Sequence, residues 1–148
     1  MLFSADSQID IREQSPIALA FVGDGVFELL VRTRLVEHTR LVPNQLHAHA
    51  VRLVSAKGQA RGVEAIEPLL TEQEQAVLRR GKNSTKASVA KHATPQQYRA
   101  STALEALFGW LYLQNQNSRI EELFNVIWDA VYEKTAPQTE KGDPPSHE

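Results

Sequence analysis

Apolar positions recur along this 148-residue chain with the period of α-helices, and cap-forming residues mark where each helix begins. Ser15 and Pro16 pair an N-cap with a proline at the first helical position, and Ile17, Phe21, Val22, Val26, Leu29 and Leu30 follow at helical spacing. The pattern predicts a long helix from about Pro16 to about Glu37. Pro43 opens a second segment, with Leu46, Ala50, Leu53 and Val54 as its apolar stripe, that either continues to Leu70 or breaks at Gly58 or Gly62. Thr71 and Glu74 stand at capping-box spacing, and the short helix they start is expected to stop at Gly81. Thr94 and Pro95 repeat the first start signal ahead of Tyr98, Leu104, Leu107, Phe108, Leu111 and Tyr112. Ser118 and Glu121 form another capping box before Ile120, Leu123, Phe124, Ile127 and Val131. Residues 82–94, rich in Ser, Thr, Lys and Ala without a period, read as a surface loop, and the proline-containing residues 135–148 as a disordered tail. No alternating β-branched run competes, so the expectation is an all-α domain over residues 1–134.

Composition narrows the chemistry. With no cysteine, disulfides, thiolate metal sites and cysteine nucleophiles are excluded. No run approaches the ~18 apolar residues of a membrane span, and the first residues lack the charged start and apolar core of a signal peptide. A cytoplasmic protein without membrane attachment is expected. The net charge of −2 hides a strong polarity. Arg40, Arg52, Lys57 and Arg61 lie in an acid-free stretch, as do Arg79, Arg80, Lys82, Lys86, Lys91 and Arg99, so ten of the sixteen cations occupy two segments. Glu64, Glu67, Glu72 and Glu74 form an acidic island between them. Such basic segments suit phosphate tracking, although charge runs by themselves more often mark a solvated charged surface.

Two carboxylates stand in apolar company. Asp24 interrupts Phe21-Val22-Gly23-Asp24-Gly25-Val26-Phe27, flanked by glycines that each weaken a helix by roughly 1 kcal/mol and imply close approach to the backbone. Glu105 lies in Leu104-Glu105-Ala106-Leu107-Phe108, with Ser101, Thr102 and Gly109 on its own helical face. A shared divalent cation would reconcile the two acids, and oxygen donors point to Mg²⁺ or Mn²⁺. Alternatively, Asp24 caps a separate helix and Glu105 is satisfied by an arginine or by backbone donors. His47 and His49 fall on different sides of a helix, and no zinc, Walker or nucleophile-elbow pattern is present.

Phe21-Val22-Gly23-Asp24-Gly25-Val26 resembles the F-L-G-D-x-V signature of the ribonuclease III family, and Thr102-Ala103-Leu104-Glu105-Ala106-Leu107-Phe108-Gly109-Trp110-Leu111-Tyr112 resembles its second acidic motif. Pro43-Asn44-Gln45-Leu46-His47, Val54-Ser55-Ala56-Lys57-Gly58-Gln59-Ala60, Arg79-Arg80-Gly81-Lys82-Asn83 and Tyr98-Arg99-Ala100-Ser101-Thr102 are similar to Mini-ribonuclease III, the form reduced to the catalytic domain. The resemblance implies the family's helical catalytic fold, a homodimer, and Mg²⁺-dependent hydrolysis of double-stranded RNA, with the precursor of large-subunit ribosomal RNA as substrate. Asp24 would orient and activate the nucleophile, and Glu105 would hold the metal. Two further acids of the family pattern are replaced here by Ala20 and Thr102, and Glu28, one turn after Asp24, is a candidate substitute. Arg79, Arg80, Lys82, Asn83 and Lys86 are the candidate RNA contacts. The competing reading is a helical RNA-binding or ribosome-assembly protein on the same fold that has lost catalysis.

Overall fold

In the computed structural model, which describes residues 4–5, 8–84 and 93–135, six α-helices follow one another: α1 (Pro16–His38), α2 (Pro43–Val54), α3 (Ala56–Ile66), α4 (Glu72–Ser84), α5 (Pro95–Leu113) and α6 (Asn117–Thr135). No strand occurs among the described residues, and none of their helices is long and apolar enough to cross a membrane. Lys86, most of the expected loop and the expected tail after Thr135 lie outside the described residues, while Thr135 itself is the last residue of α6.

From Ser101 to Leu111, helix α5 is buried all round except at the partly buried Glu105 and Trp110, which places this stretch in the middle of the bundle. Ala103, Leu104, Ala106, Leu107 and Phe108 are all fully buried, and α1, α3, α4 and α6 pack around them. Phe27 of α1 sets the centre, edge-on to Phe108 of α5 at 5.6 Å and to Phe124 of α6 at 5.8 Å between ring centroids.

The start signals at Ser15, Thr71 and Thr94 act as the sequence implies. Ser15 Oγ accepts from the Ala18 amide at 3.1 Å, and Thr94 and Gln97 close a reciprocal capping box. Thr71 and Glu74 close a second one, and Glu74 does more than cap. Both its oxygens accept from Arg119 of α6, at 2.8 and 2.9 Å, and Arg119 also donates to the Leu69 carbonyl. Burial pushes the Glu74 carboxyl up, but the bonds from Arg119 and Thr71 outweigh it and hold the group below its ordinary value.

Three boundaries differ from the pattern. The segment after Pro43 breaks at Ser55, not at a glycine: Ser55 is extended, and its Oγ accepts from the Gly58 amide to cap α3. Gly58 serves the corner, since a Cβ there would strike the Arg52 and Leu53 carbonyls. Helix α4 runs through Gly81 to Ser84, because Gly81 is a packing residue whose Cβ would sit 2.7 Å from Ala103 Cα. Ser118 lies inside α6 and caps nothing. Helix α5 instead ends in a Schellman turn, with Asn115 at φ 59° and the Gln116 and Asn115 amides donating to Leu111 and Tyr112, so α6 begins directly after it.

Helices α1 and α5 approach each other closely. A Cβ on Gly23 would fall on the carbonyl oxygen of Glu105, and one on Gly109 on that of Leu19. The helices therefore touch backbone to backbone. Gly25 is different: a Cβ there meets nothing within 4 Å. Gly23→Ala or Gly109→Ala is expected to cost about 3 kcal/mol or more in urea unfolding, the upper end of overpacking losses, because the obstructing atoms are backbone. Gly25→Ala is expected to leave stability unchanged or raise it by up to ~1 kcal/mol.

Candidate active site

The glycine crossing that joins α1 to α5 also builds the site. Asp24 follows Gly23 directly, and the Glu105 carbonyl is the group that the missing Cβ of Gly23 makes room for. Asp24 and Glu105 are thereby brought together from distant parts of the chain, Asp24 exposed and Glu105 partly buried. Helix α1 is continuous from Pro16 to His38, so Asp24 is a mid-helix residue and not a cap. Glu105 is not satisfied by an arginine. Its partner is the amide of Gln59 on α3, which donates to Oε2 at 3.3 Å.

The electrostatics of the pair follow from this packing. Burial pushes the Glu105 carboxyl up to about 7; the negative charge of Asp24 and a hydrogen bond with it act in the same direction, against the Gln59 amide. No lysine or arginine neutralises either acid among the described residues. Two carboxylates held close without a cation are a fitting oxygen donor set for a hard divalent ion. The residues that could hold it are Asp24 and Glu105, which lie close enough to interact through charge and a hydrogen bond; among the described residues no group of three or more His, Cys, Asp or Glu gathers at metal-binding spacing, so the pair supplies only part of an ion's coordination.

The replacements for the other family acids stay out of the pair. Ala20 is buried, and Thr102 commits its hydroxyl to the Tyr98 carbonyl at 3.2 Å. Glu28 turns to Arg32, one helical turn on, in an ion pair of 2.8 Å. As a stand-in acid it is thus already engaged.

Arg79, Arg80 and Asn83 are exposed on α4, while Lys82 leans the other way, 3.5 Å from Glu67. Lys82 lines a cleft of about 550 Å³ between α3, α4 and the start of α5, together with Lys57, Arg61 and Arg99. The two acid-free segments therefore meet in space. Glu64 and Glu67 also line the cleft, but Lys57, Arg61 and Arg99 have no ion-pair partner among the described residues. Arg99 precedes Glu105 by six residues, about 9 Å along α5. Lys57 and Arg61, four apart on α3, had a legible signal in that spacing; their approach to Arg99 had none.

The Ribonuclease III domain family matches residues 17–116, which contain both acids and the glycine crossing. The chain belongs to the ribonuclease III family. That membership makes it an endoribonuclease. Among ribonuclease III relatives, it is 44% identical over 116 residues to a Mini-ribonuclease 3 of Symbiobacterium thermophilum, covering 78% of this chain and 89% of that one. It is 38% identical over 133 residues to a Mini-ribonuclease 3 of Staphylococcus aureus, covering 87% and 99%. A crystal structure of a Fusobacterium nucleatum protein superposes with a TM-score of 0.72 at 31% identity, covering 81% of this chain and 96% of that one. The ribonuclease III fold expected from the two motifs is therefore present.

A carboxyl whose folded pKa lies above its unfolded value favours the folded state at low pH, and that contribution is lost as pH rises through the folded value. For Glu105 the window runs from about 4.5 to about 7. With EDTA present, the wild type is expected to lose stability between pH 5 and pH 8. Glu105→Gln removes that loss, so thermal unfolding at the two pH values is expected to show the variant gaining on the wild type at pH 8. An equal difference at both would contradict it.

Proposed function

We propose that this ribonuclease III protein hydrolyses phosphodiester bonds of double-stranded RNA at a Mg²⁺ site held by Asp24 and Glu105, with Mn²⁺ able to substitute. The observation that carries the reading is the pair of carboxylates fixed by the Gly23–Gly109 crossing, with no lysine or arginine among the described residues to neutralise it. When bound, the ion supplies Lewis-acid polarisation of the phosphate and a more acidic water. Asp24, on the exposed side of the pair, orients the attacking water toward phosphorus. Glu105, partly buried and held by Gln59, is the anchor. Asp24, Glu105 and the backbone around them sit on helices rather than loops, so little rearrangement separates the free site from the working one.

Duplex RNA is recognised largely by shape and backbone, because its major groove is too narrow for side chains to read. Lys57, Arg61, Lys82 and Arg99 line a cleft, with Arg99 about 9 Å before Glu105 in rise along α5, and Arg79, Arg80 and Asn83 extend the basic surface over α4. Lys86, outside the described residues, belongs to the same basic segment. The proposed natural substrate is the large-subunit ribosomal RNA precursor, in the cytoplasm, as the resemblance to Mini-ribonuclease III implies. Residues 1–134 are the proposed catalytic domain.

The proposed working form is a homodimer. Ile17, Phe21, Leu29 and Val36 run along the outer face of α1 and are 53, 83, 48 and 66% exposed. An apolar stripe of this kind marks an interaction surface. Asp24 lies one turn from Phe21, so two copies joined along this stripe present two sites to one duplex.

Cleavage of long double-stranded RNA in Mg²⁺ is the test. Wild type is expected to cut; EDTA abolishes cutting, and Asp24→Asn lowers the rate by at least about 100-fold while duplex binding persists. Intact RNA in every reaction, with binding retained, would establish instead an inactive RNA-binding protein on the same fold. For the dimer, Phe21→Asp is expected to shift sedimentation to the monomer mass without loss of helical circular dichroism. A wild type that already sediments as a monomer at assay concentration would count against the shared site.

A further inference from the structure

Helix α3 buries Gly58, Gln59, Gly62, Val63 and Ile66, and Gln59 is the one polar side chain among them. At 2% exposed, it occupies a position where an apolar residue would pack without leaving a polar atom to satisfy. Its Nε2 donates in two directions, to the Val54 carbonyl at 3.0 Å and to Glu105 Oε2 at 3.3 Å. Both amide hydrogens are thus committed, and the flipped amide would set Oε1 against two oxygen acceptors, so the partners fix its orientation. Oε1 is left buried with no hydrogen-bond partner among the described residues. A leucine would avoid that orphaned oxygen but could offer Glu105 no donor.

We infer that Gln59 is a positioning residue of the metal site: its amide holds the Glu105 carboxylate in the orientation in which it meets a divalent cation beside Asp24. This rests on the metal-site reading above. Gln59 does by a neutral donor what a third acid could not. Another carboxylate in this buried place would add a like charge to a pair that already lacks a protein cation, whereas an amide N–H favours the ionised carboxylate that a cation requires. Its bond to Val54 is part of the device, because it ties the amide to the α2–α3 corner and so fixes the donor before any ion arrives. Ser101 and Thr102, the other polar side chains on the Glu105 face of α5, both donate their hydroxyls to the Tyr98 carbonyl.

The test uses Mn²⁺ itself as probe, without RNA. Calorimetric or electron-paramagnetic-resonance titration of metal-free protein at pH 8 is expected to show one site that Glu105→Gln removes. Gln59→Leu and Gln59→Met, which keep much of the volume but carry no N–H donor and no charge, are each expected to weaken Mn²⁺ binding by roughly 10- to 100-fold, the usual cost of losing an outer partner of a metal ligand. In the cleavage assay both variants are expected to need correspondingly more Mg²⁺, with the rate recovered at high Mg²⁺. If Gln59→Leu does not fold, the unbranched and uncharged Gln59→Met, closer to glutamine in shape, carries the measurement. A folded Gln59 variant that binds Mn²⁺ as tightly as wild type would overturn the inference while leaving the two-carboxylate site intact. A wild type that binds no Mn²⁺ through Glu105 would overturn both.

Discussion

The contact on which this protein depends is the backbone-to-backbone crossing of α1 and α5 at Gly23 and Gly109. Two helices normally pack with their axes 8–10 Å apart, at a distance set by the side chains between them. Here the side chains at the crossing have been removed. The same feature closes the core around Phe27 and Phe108 and delivers Asp24 to Glu105. Stability and chemistry consequently share one constraint, and the helix-weakening glycine in the signature is offset by the packing it permits.

Two buried or partly buried glutamates show how the fold treats charge according to purpose. Glu74 is buried against Arg119 and closes a capping box, so its carboxyl is held low and its charge is fully used in joining α4 to α6. Glu105 is raised, because burial and Asp24 oppose its charge and only an amide favours it. An acid left uncompensated next to another acid is an expensive arrangement for folding alone, and perturbed groups of this kind cluster where chemistry is done. The acidic island read along the chain thus resolves into unlike members. Glu74 is structural, Glu67 pairs with Lys82, and Glu64 lines the basic cleft.

Much of the fold was legible because helix starts are local chemistry. Ser15-Pro16, Thr71 with Glu74, and Thr94-Pro95 with Gln97 each place a side-chain oxygen within reach of amides two or three residues away, and no distant contact is needed to form those bonds. Helix ends and glycines were less legible. Gly58, Gly62 and Gly81 read as breaks, yet a Cβ on Gly62 would sit 3.1 Å from Ile127 Cγ2 and one on Gly81 would crowd Ala103, so those two are small for the sake of a neighbour far away in the chain. The Ser118 capping box is bypassed for a similar reason: the Schellman turn at Asn115, which also exchanges hydrogen bonds with Ala5, lets α6 start at Asn117, ahead of Ser118.

The sequence by itself determined which segments become helices and which two carboxylates are out of place in apolar surroundings, since period, capping and helix propensity act over a few residues. Tertiary structure decided what those residues do together. Whether Asp24 meets Glu105, whether Gln59 reaches it, and whether Lys57, Arg61 and Arg99 face one cleft depend on how helices from distant parts of the chain cross. The crossing is set by which side chains are small enough to let backbones approach, and a single residue's spacing carries no record of its partner on the other helix.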